Sequence, residues 1–230
     1  MLDRQEAALT ALKSLSEGVA HELRAPLNRV RNRLEQVAAQ IDDVAARDAT
    51  IERALAETDQ VSALFEALLT LARIESGGVA LHVAPVDLAE LAATVCDIYR
   101  PLVEEAGGGL STSFAPSLVI QGDAALLQQA LANLIENAVF HGGAPIRIEV
   151  STHADNGRAI LRVADRGIGV PEAERERVLR RFYRVNQADP APGSGLGLAM
   201  VAAVVHAHGG ELRLGDNTPG LVVEITLPQS

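Results

Sequence analysis

Apolar residues recur every seven positions at Leu23, Val30, Val37 and Val44, and Leu27, Leu34 and Ile41 keep a parallel register. Seven residues are close to two helical turns, so both rows fall on one face and predict a seam about forty residues long. The string Ala45-Ala46-Arg47-Asp48 reads as a turn. A second helix is expected after it, with Ile51, Leu55, Val61, Leu64, Phe65, Leu68 and Leu71 on a broad apolar face, until Ser76-Gly77-Gly78 stops it. Up to about residue 76 there is one proline, one glycine and no strand-like stretch. One antiparallel helix pair of this length cannot bury its seam alone. The expected solution is a homodimer in which two hairpins form a four-helix bundle.

From residue 79 the pattern changes. Leu118 to Ile120, Ile146 to Val150, Ile160 to Val163 and Leu221 to Leu227 read as strands. Asp87 to Glu105, Asp123 to Phe140 and Leu196 to His208 read as helices, with Asp87 and Asp123 as N-caps. Asp155-Asn156-Gly157 between two strands predicts a hairpin. The expected fold class is therefore α+β: a helical hairpin over residues 1–77, then an α/β sandwich over 78–230 with helices on one face of a mixed sheet. No internal repeat is visible.

Composition narrows the function. With 48% hydrophobic residues among 230, the chain can pack an interior, and with 3% aromatics and no Trp that interior rests on Leu, Val, Ile and Ala. A formal net charge of −10 argues against a nucleic-acid partner, which calls for a basic face. Cys96 is the one cysteine, so no internal disulfide forms, which fits a reducing, cytoplasmic compartment. No apolar run approaches the ~20 residues needed to span a bilayer. No membrane contact by these residues is expected, though they can be the cytoplasmic part of a longer, membrane-anchored protein.

Four strings carry chemistry. The first is His21-Glu22-Leu23-Arg24-Ala25-Pro26-Leu27-Asn28. At about 100° per residue His21 falls nearly opposite the Leu23, Leu27, Val30 and Leu34 face, so it points to solvent from a rigid helix. An imidazole there offers Nε2 as a nucleophile, while the Glu22 carboxylate near Nδ1 holds the tautomer and takes its proton. The second pairs Asn133 and Asn137, four apart on a helix and so on one side, next to the apolar face of Leu127, Ala130, Leu134 and Ala138. Two amide oxygens at the rim of a core can ligate a hard cation such as Mg²⁺ beside nucleotide phosphates.

The third string, Asp165-Arg166-Gly167-Ile168-Gly169, directly follows a buried strand. A carboxylate there can accept from the exocyclic amine of adenine, and the glycines let backbone approach the base. The fourth, Gly193-Ser194-Gly195-Leu196-Gly197-Leu198, opens a helix whose free N–H groups and dipole suit phosphate. Before it, Phe182-Tyr183-Arg184 supplies in Arg184 a cation for the γ-phosphate, and Val185 to Pro192 reads as a lid over the nucleotide. No Gly-x-x-x-x-Gly-Lys string exists, so a Walker-type site is a poor fit.

In this order on one chain, from about residue 12 to 228, the strings resemble the catalytic core of a two-component sensor histidine kinase. The histidine box resembles that of the family's dimerisation domain. Asn133-Leu134-Ile135-Glu136-Asn137-Ala138 is similar to its asparagine box, and the two glycine strings to those of its Bergerat-type ATP-binding domain. The resemblance implies ATP and Mg²⁺ as cofactors, His21 as phosphoacceptor, magnesium coordination by Asn137 first and Asn133 second, and Asp165 as the adenine reader. It also implies a response-regulator receiver domain as partner. His141 matches a common choice in the family. Within the wider fold the hydrolytic members carry a glutamate base where this chain has Asn133, and an amide cannot take a proton from water. Glu136 is displaced by about 60° around the helix and is discounted as that base. Two departures matter. Phe140 stands where many members carry Lys or Arg, which keeps open a degenerate, non-catalytic nucleotide-binding dimer as the alternative function. Ala25, four after His21, cannot orient a water as Thr or Asn would there.

Overall fold

A computed structural model describes residues 27–35, 37, 44–75, 81–143, 145–185 and 194–229. The chain divides into two compact units, residues 1–69 and 70–230. The expected acceptor His21, its neighbour Glu22, the residue Ala25 and the loop glycine Gly193 lie outside the described residues, as does most of the expected lid.

In the first unit, residues 27–35 and 37 are helical; a second helix, α1, runs Val44–Glu75, so that its residues from 70 on belong to the second unit. The turn expected at Ala45–Asp48 is not there, because those residues form the first turn of α1. Alanine is the strongest helix former and nothing in the string lacks an N–H or favours positive φ, so the helix starts earlier than the string suggested. Ala54, Leu64 and Leu68 are buried, but Leu27, Leu34, Ile51, Leu55 and Phe65 are exposed. Glu57 is almost wholly buried and faces two arginines of the preceding helix, Arg29 Nε at 3.5 Å and Arg33 Nε at 3.2 Å.

The second unit is α/β. Strand β1 (Ala84–Asp87) pairs antiparallel with β3 (Val119–Gly122) as a two-stranded ribbon. The main sheet has the order β2-β4-β5-β7-β6, formed by β2 (Gly109–Phe114), β4 (Arg147–Asp155), β5 (Arg158–Asp165), β6 (Glu211–Asp216) and β7 (Leu221–Pro228). Only β2 and β4 run parallel. Helices α2 (Leu88–Glu105), α3 (Ala124–His141) and α4 (Gly197–Ala207) supply the other half of the interior. Ile148, Val150, Leu161, Val163, Val223 and Ile225 are buried beside Leu131, Ile135, Met200 and Val204, whereas Glu149, Arg162 and Glu224 alternate onto the open face.

Both expected N-caps are made. Asp87 accepts from the amides of Ala89 and Glu90, and Asp123 from those of Ala125 and Leu126. The expected hairpin joins β4 to β5, with Asn156 and Gly157 both at positive φ. Strands β1, β2 and β6 are additions to the sequence reading. Asp123 does more than cap its helix. Its Oδ2 accepts from the His82 amide, and its own amide donates to His208 Nε2 at 2.9 Å. His208 is buried and its Nδ1 sits 2.7 Å from Val204 O, so this imidazole is a strut between the start of α3 and the end of α4. Cys96 is fully buried, and burial pushes its thiol up to about 11. Among the described residues no helix is long and apolar enough to cross a membrane.

Candidate nucleotide site

Helix α3 begins under its Asp123 cap and carries Leu127, Ala130, Leu131, Leu134, Ile135 and Ala138 into the interior. That burial fixes its rotation. Asn133 and Asn137, one turn apart, are thereby held half-buried at the edge of the core. What meets them is the start of α4. A Cβ built on Gly197 would lie 3.3 Å from Asn137 Nδ2, 3.5 Å from Asn137 Oδ1 and 3.7 Å from Asn133 Oδ1. Sixty residues of sequence separate the asparagine and glycine strings, and the fold closes the gap. Asn137 Nδ2 is buried with no hydrogen-bond partner among the described residues, an expensive condition for an amide unless a ligand supplies the acceptor.

The glycine loop is held from its other side. Gly195 has φ +68°, its carbonyl accepts from the Phe182 amide at 2.9 Å, and a Cβ on it would come within 2.8 Å of Phe182 carbonyl carbon. No side chain larger than hydrogen fits that approach. Leu196 turns its side chain into the core, so only its backbone faces the loop. Among the described residues no side chain caps α4, so none of them supplies a side-chain acceptor to its first amide N–H groups. Ser194 is half-buried at the loop's entry.

Phe182 itself is at positive φ, and Arg184 follows it, half-buried. The Tyr183 hydroxyl donates to Glu174 Oε2, a bond that pushes the phenol pKa up, and the Arg177 guanidinium lies 4.6 Å over the ring centroid while pairing with Glu174 Oε1. This clamp anchors the segment that carries Arg184 to the short 3₁₀ turn Glu172–Glu174.

Asp165 ends β5 in a buried position. Its Oδ1 accepts from the amides of Gly167 at 2.7 Å and Leu221 at 3.2 Å. Gly167 packs backbone to backbone on the end of α3, where a Cβ would lie 2.0 Å from His141 O. Gly169 is at φ +67°. The carboxylate string therefore abuts the C-terminal end of the asparagine helix, with His141 and Phe140 exposed there. Glu136, discounted above as a base, accepts from the Tyr99 hydroxyl at 2.6 Å and is committed to α2. Asn217 was missed by the sequence reading. Its Nδ2 donates to Asp165 O at 2.6 Å, and the only local sign of it is the turn string Asn217-Thr218-Pro219-Gly220.

The site thus offers two side-chain amides, an uncapped helix start and a buried carboxylate. Among the described residues no group of three His, Cys, Asp or Glu side chains is placed to hold a metal ion. A cation here would be a hard one, taken by amide oxygens together with its ligand's own oxygens.

Residues 122–230 match the family described as histidine kinase-, DNA gyrase B- and HSP90-like ATPase, and residues 11–77 the His Kinase A (phospho-acceptor) domain. The signal transduction histidine-protein kinase/phosphatase MprB of Mycobacterium sp. (strain KMS) is 38% identical over 216 residues, covering 90% of this chain and 40% of the relative. The probable sensor histidine kinase TcrY of Mycobacterium tuberculosis is 34% identical, covering 95% of this chain and 46% of the relative. The chain thus spans less than half the length of these two relatives. Among solved structures, the mycobacterial sensor histidine kinase MprB is 33% identical with a TM-score of 0.56, covering 64% of this chain and 97% of that one. The Acinetobacter baumannii histidine kinase AdeS shares the fold at 21% identity, with a TM-score of 0.77 and coverage of 91% and 98%.

Proposed function

The chain belongs to the sensor histidine kinases, and from that membership we propose that it transfers the γ-phosphoryl group of ATP to His21 and passes it to an aspartate of a response-regulator receiver domain. One observation carries the reading: Asn133 and Asn137 lie against the uncapped start of α4, with Asn137 Nδ2 buried and unpaired. In this reading the amides of α4 receive the phosphates and the Asp165 carboxylate takes the adenine amine. Arg184 is the cation proposed for the γ-phosphate, and His141, at the C-terminal end of α3, is taken as a further nucleotide-binding residue. Magnesium fits the donor set, with Asn137 and then Asn133 supplying oxygens, and when bound it would neutralise phosphate charge.

His21 attacks through Nε2. The N–P bond forms as the bond from the γ-phosphorus to the bridging oxygen breaks, ADP leaves, and the proton on Nδ1 passes to Glu22. Residues 1–77 serve as the dimerisation and acceptor domain, and 78–230 as the ATP-binding domain. The exposed Leu27, Leu34, Leu55 and Phe65 support a homodimer, because an apolar face of that extent needs a partner. The test is incubation with labelled ATP and magnesium. An acid-labile, alkali-stable phosphoryl group is expected on the wild type and none on His21→Gln, whose nucleotide affinity stays unchanged. Equal label on both proteins would remove His21 from the reaction. Nucleotide binding with no label on either would establish the non-catalytic alternative.

A further inference from the structure

We infer that Asn217, in the turn between β6 and β7, is the positioning residue for the carboxylate that reads the base. Asp165 has three oxygens. The main-chain oxygen accepts from Asn217 Nδ2 at 2.6 Å, and Oδ1 accepts from Gly167 N and Leu221 N. Two of these three donors come from the β6–β7 connection, Asn217 from the turn and Leu221 from the first position of β7, more than fifty residues along the chain from Asp165. Oδ2 takes part in none of these bonds. It is the oxygen left to meet a ligand's N–H.

The turn is built for this approach. Asn217 N donates to Gly220 O at 3.0 Å, closing it. A Cβ on Gly220, which sits at φ +116°, would lie 2.0 Å from Asp165 O, so only glycine lets the turn come this near. A Cβ on Gly169 would lie 2.9 Å from Gly220 O, so the same turn also braces the far end of the Asp165–Gly169 loop. Asn217 therefore acts through Asp165. It holds the end of β5 at a fixed height while the Leu221 and Gly167 amides fix the rotation of the carboxylate. Without that hold, Oδ2 moves away from its acceptor position, and a hydrogen bond weakens steeply with displacement.

The inference rests on the reading of Asp165 as the adenine acceptor, and two ligands separate it from a scaffold role. ATP has the 6-amino group; purine riboside triphosphate lacks it and has nothing to donate to Asp165. Both are titrated with magnesium into the full chain by calorimetry. Asn217→Asp keeps the shape but replaces the donor with an acceptor facing Asp165 O. It is expected to weaken ATP about tenfold while purine riboside triphosphate changes by less than about twofold, the size of one misplaced hydrogen bond to a charged group. In the double variant with Asp165→Asn the two losses should not add. Wild-type ATP affinity in Asn217→Asp, equal losses for both nucleotides, or additive losses would each overturn the inference. Should Asn217→Asp not fold, Asn217→Ala, which removes the donor without adding a charge, decides by the same titrations. Asp165→Asn alone binding ATP as well as wild type would instead overturn the base-reading assignment, and this inference with it.

Discussion

The two units solve the problem of burying apolar surface in opposite ways. In the helical unit Leu34 is 56% and Leu55 60% exposed, while in the α/β unit Leu131 and Ile135 are at 0%. The sheet and its three helices close on each other within one chain. The hairpin leaves its face to be covered by something else. Stability in the second unit is thus a property of the chain, and under the proposed homodimer that of the first would depend on concentration.

That contrast can be broken most forcefully at a core leucine. Leu131→Ala opens a cavity in a sealed interior and should cost about 3–4 kcal/mol, independent of protein concentration. Leu34→Ala in the hairpin should leave the α/β unit untouched and shift the unfolding midpoint of the helical unit only as far as it weakens association. Denaturant titrations at two concentrations a hundredfold apart check both. A concentration-independent loss at Leu34 as large as that at Leu131 would mean that the hairpin is sealed within one chain.

A second pair compares the buried carboxylates. The Asp123 carboxylate accepts from three backbone amides, so Asp123→Ala strands three donors and should cost about 2–3 kcal/mol, while the backbone bond from residue 123 to His208 is kept. Glu57 meets Arg29 and Arg33, whose side chains are 51% and 31% exposed and can turn to water. Glu57→Gln should therefore cost about 1 kcal/mol or less. Urea midpoints for the two variants decide, and a larger cost at Glu57 would show the ion cluster to be fully desolvated in the assembled hairpin.

The same contrast explains what could be read from the sequence. Helices α2, α3 and α4 announce themselves because each buries one face and, in α2 and α3, an aspartate caps the start. The β4–β5 hairpin follows from Asn156-Gly157. Strand β2, Gly-Leu-Ser-Thr-Ser-Phe, lies at the sheet edge and buries only Leu110, so it has no alternation to detect. Strand β1 contains Pro85, which demotes any strand pattern, and β6 is a short charged edge. The site strings were legible because each is local. The supports were not: Asn217 to Asp165, His208 to Asp123 and Tyr99 to Glu136 join residues 37 to 85 apart, and no periodicity encodes such a bond. The helix start at Val44 was misread for a different reason. A break in an apolar seam looks like a turn even when three of its four residues, Ala45, Ala46 and Arg47, favour helix.

Alkaline pH gives the smallest effect and the finest separation of the two units. Cys96, Tyr99 and Tyr183, which are the chain's only Cys and Tyr residues, all lie in the α/β unit, whereas Lys13 is the one lysine and lies in the helical one. Burial holds the Cys96 thiol at about 11 against an ordinary 9.0, and burial followed by the hydrogen bond to Glu136 raises Tyr99 as well. A raised folded-state pKa means that the unfolded chain loses its proton first. The stability it contributes is complete below pH 9 and drains away as pH rises toward 11. For Cys96 the loss between pH 8 and pH 10 is at most about 1.4 kcal/mol, the equivalent of one pKa unit. Tyr99 extends the decline to higher pH. The helical unit has no buried thiol or phenol to drive such a change, so its midpoint should stay nearly flat over this window. Far-ultraviolet circular dichroism of both units, read against near-ultraviolet tyrosine signals that report the α/β unit alone, separates the two. Cys96→Ala should reduce the slope of stability against pH between 8 and 10, whatever it does to absolute stability through the small cavity it leaves. An unchanged slope in that variant would mean that the thiol reaches solvent in the folded protein.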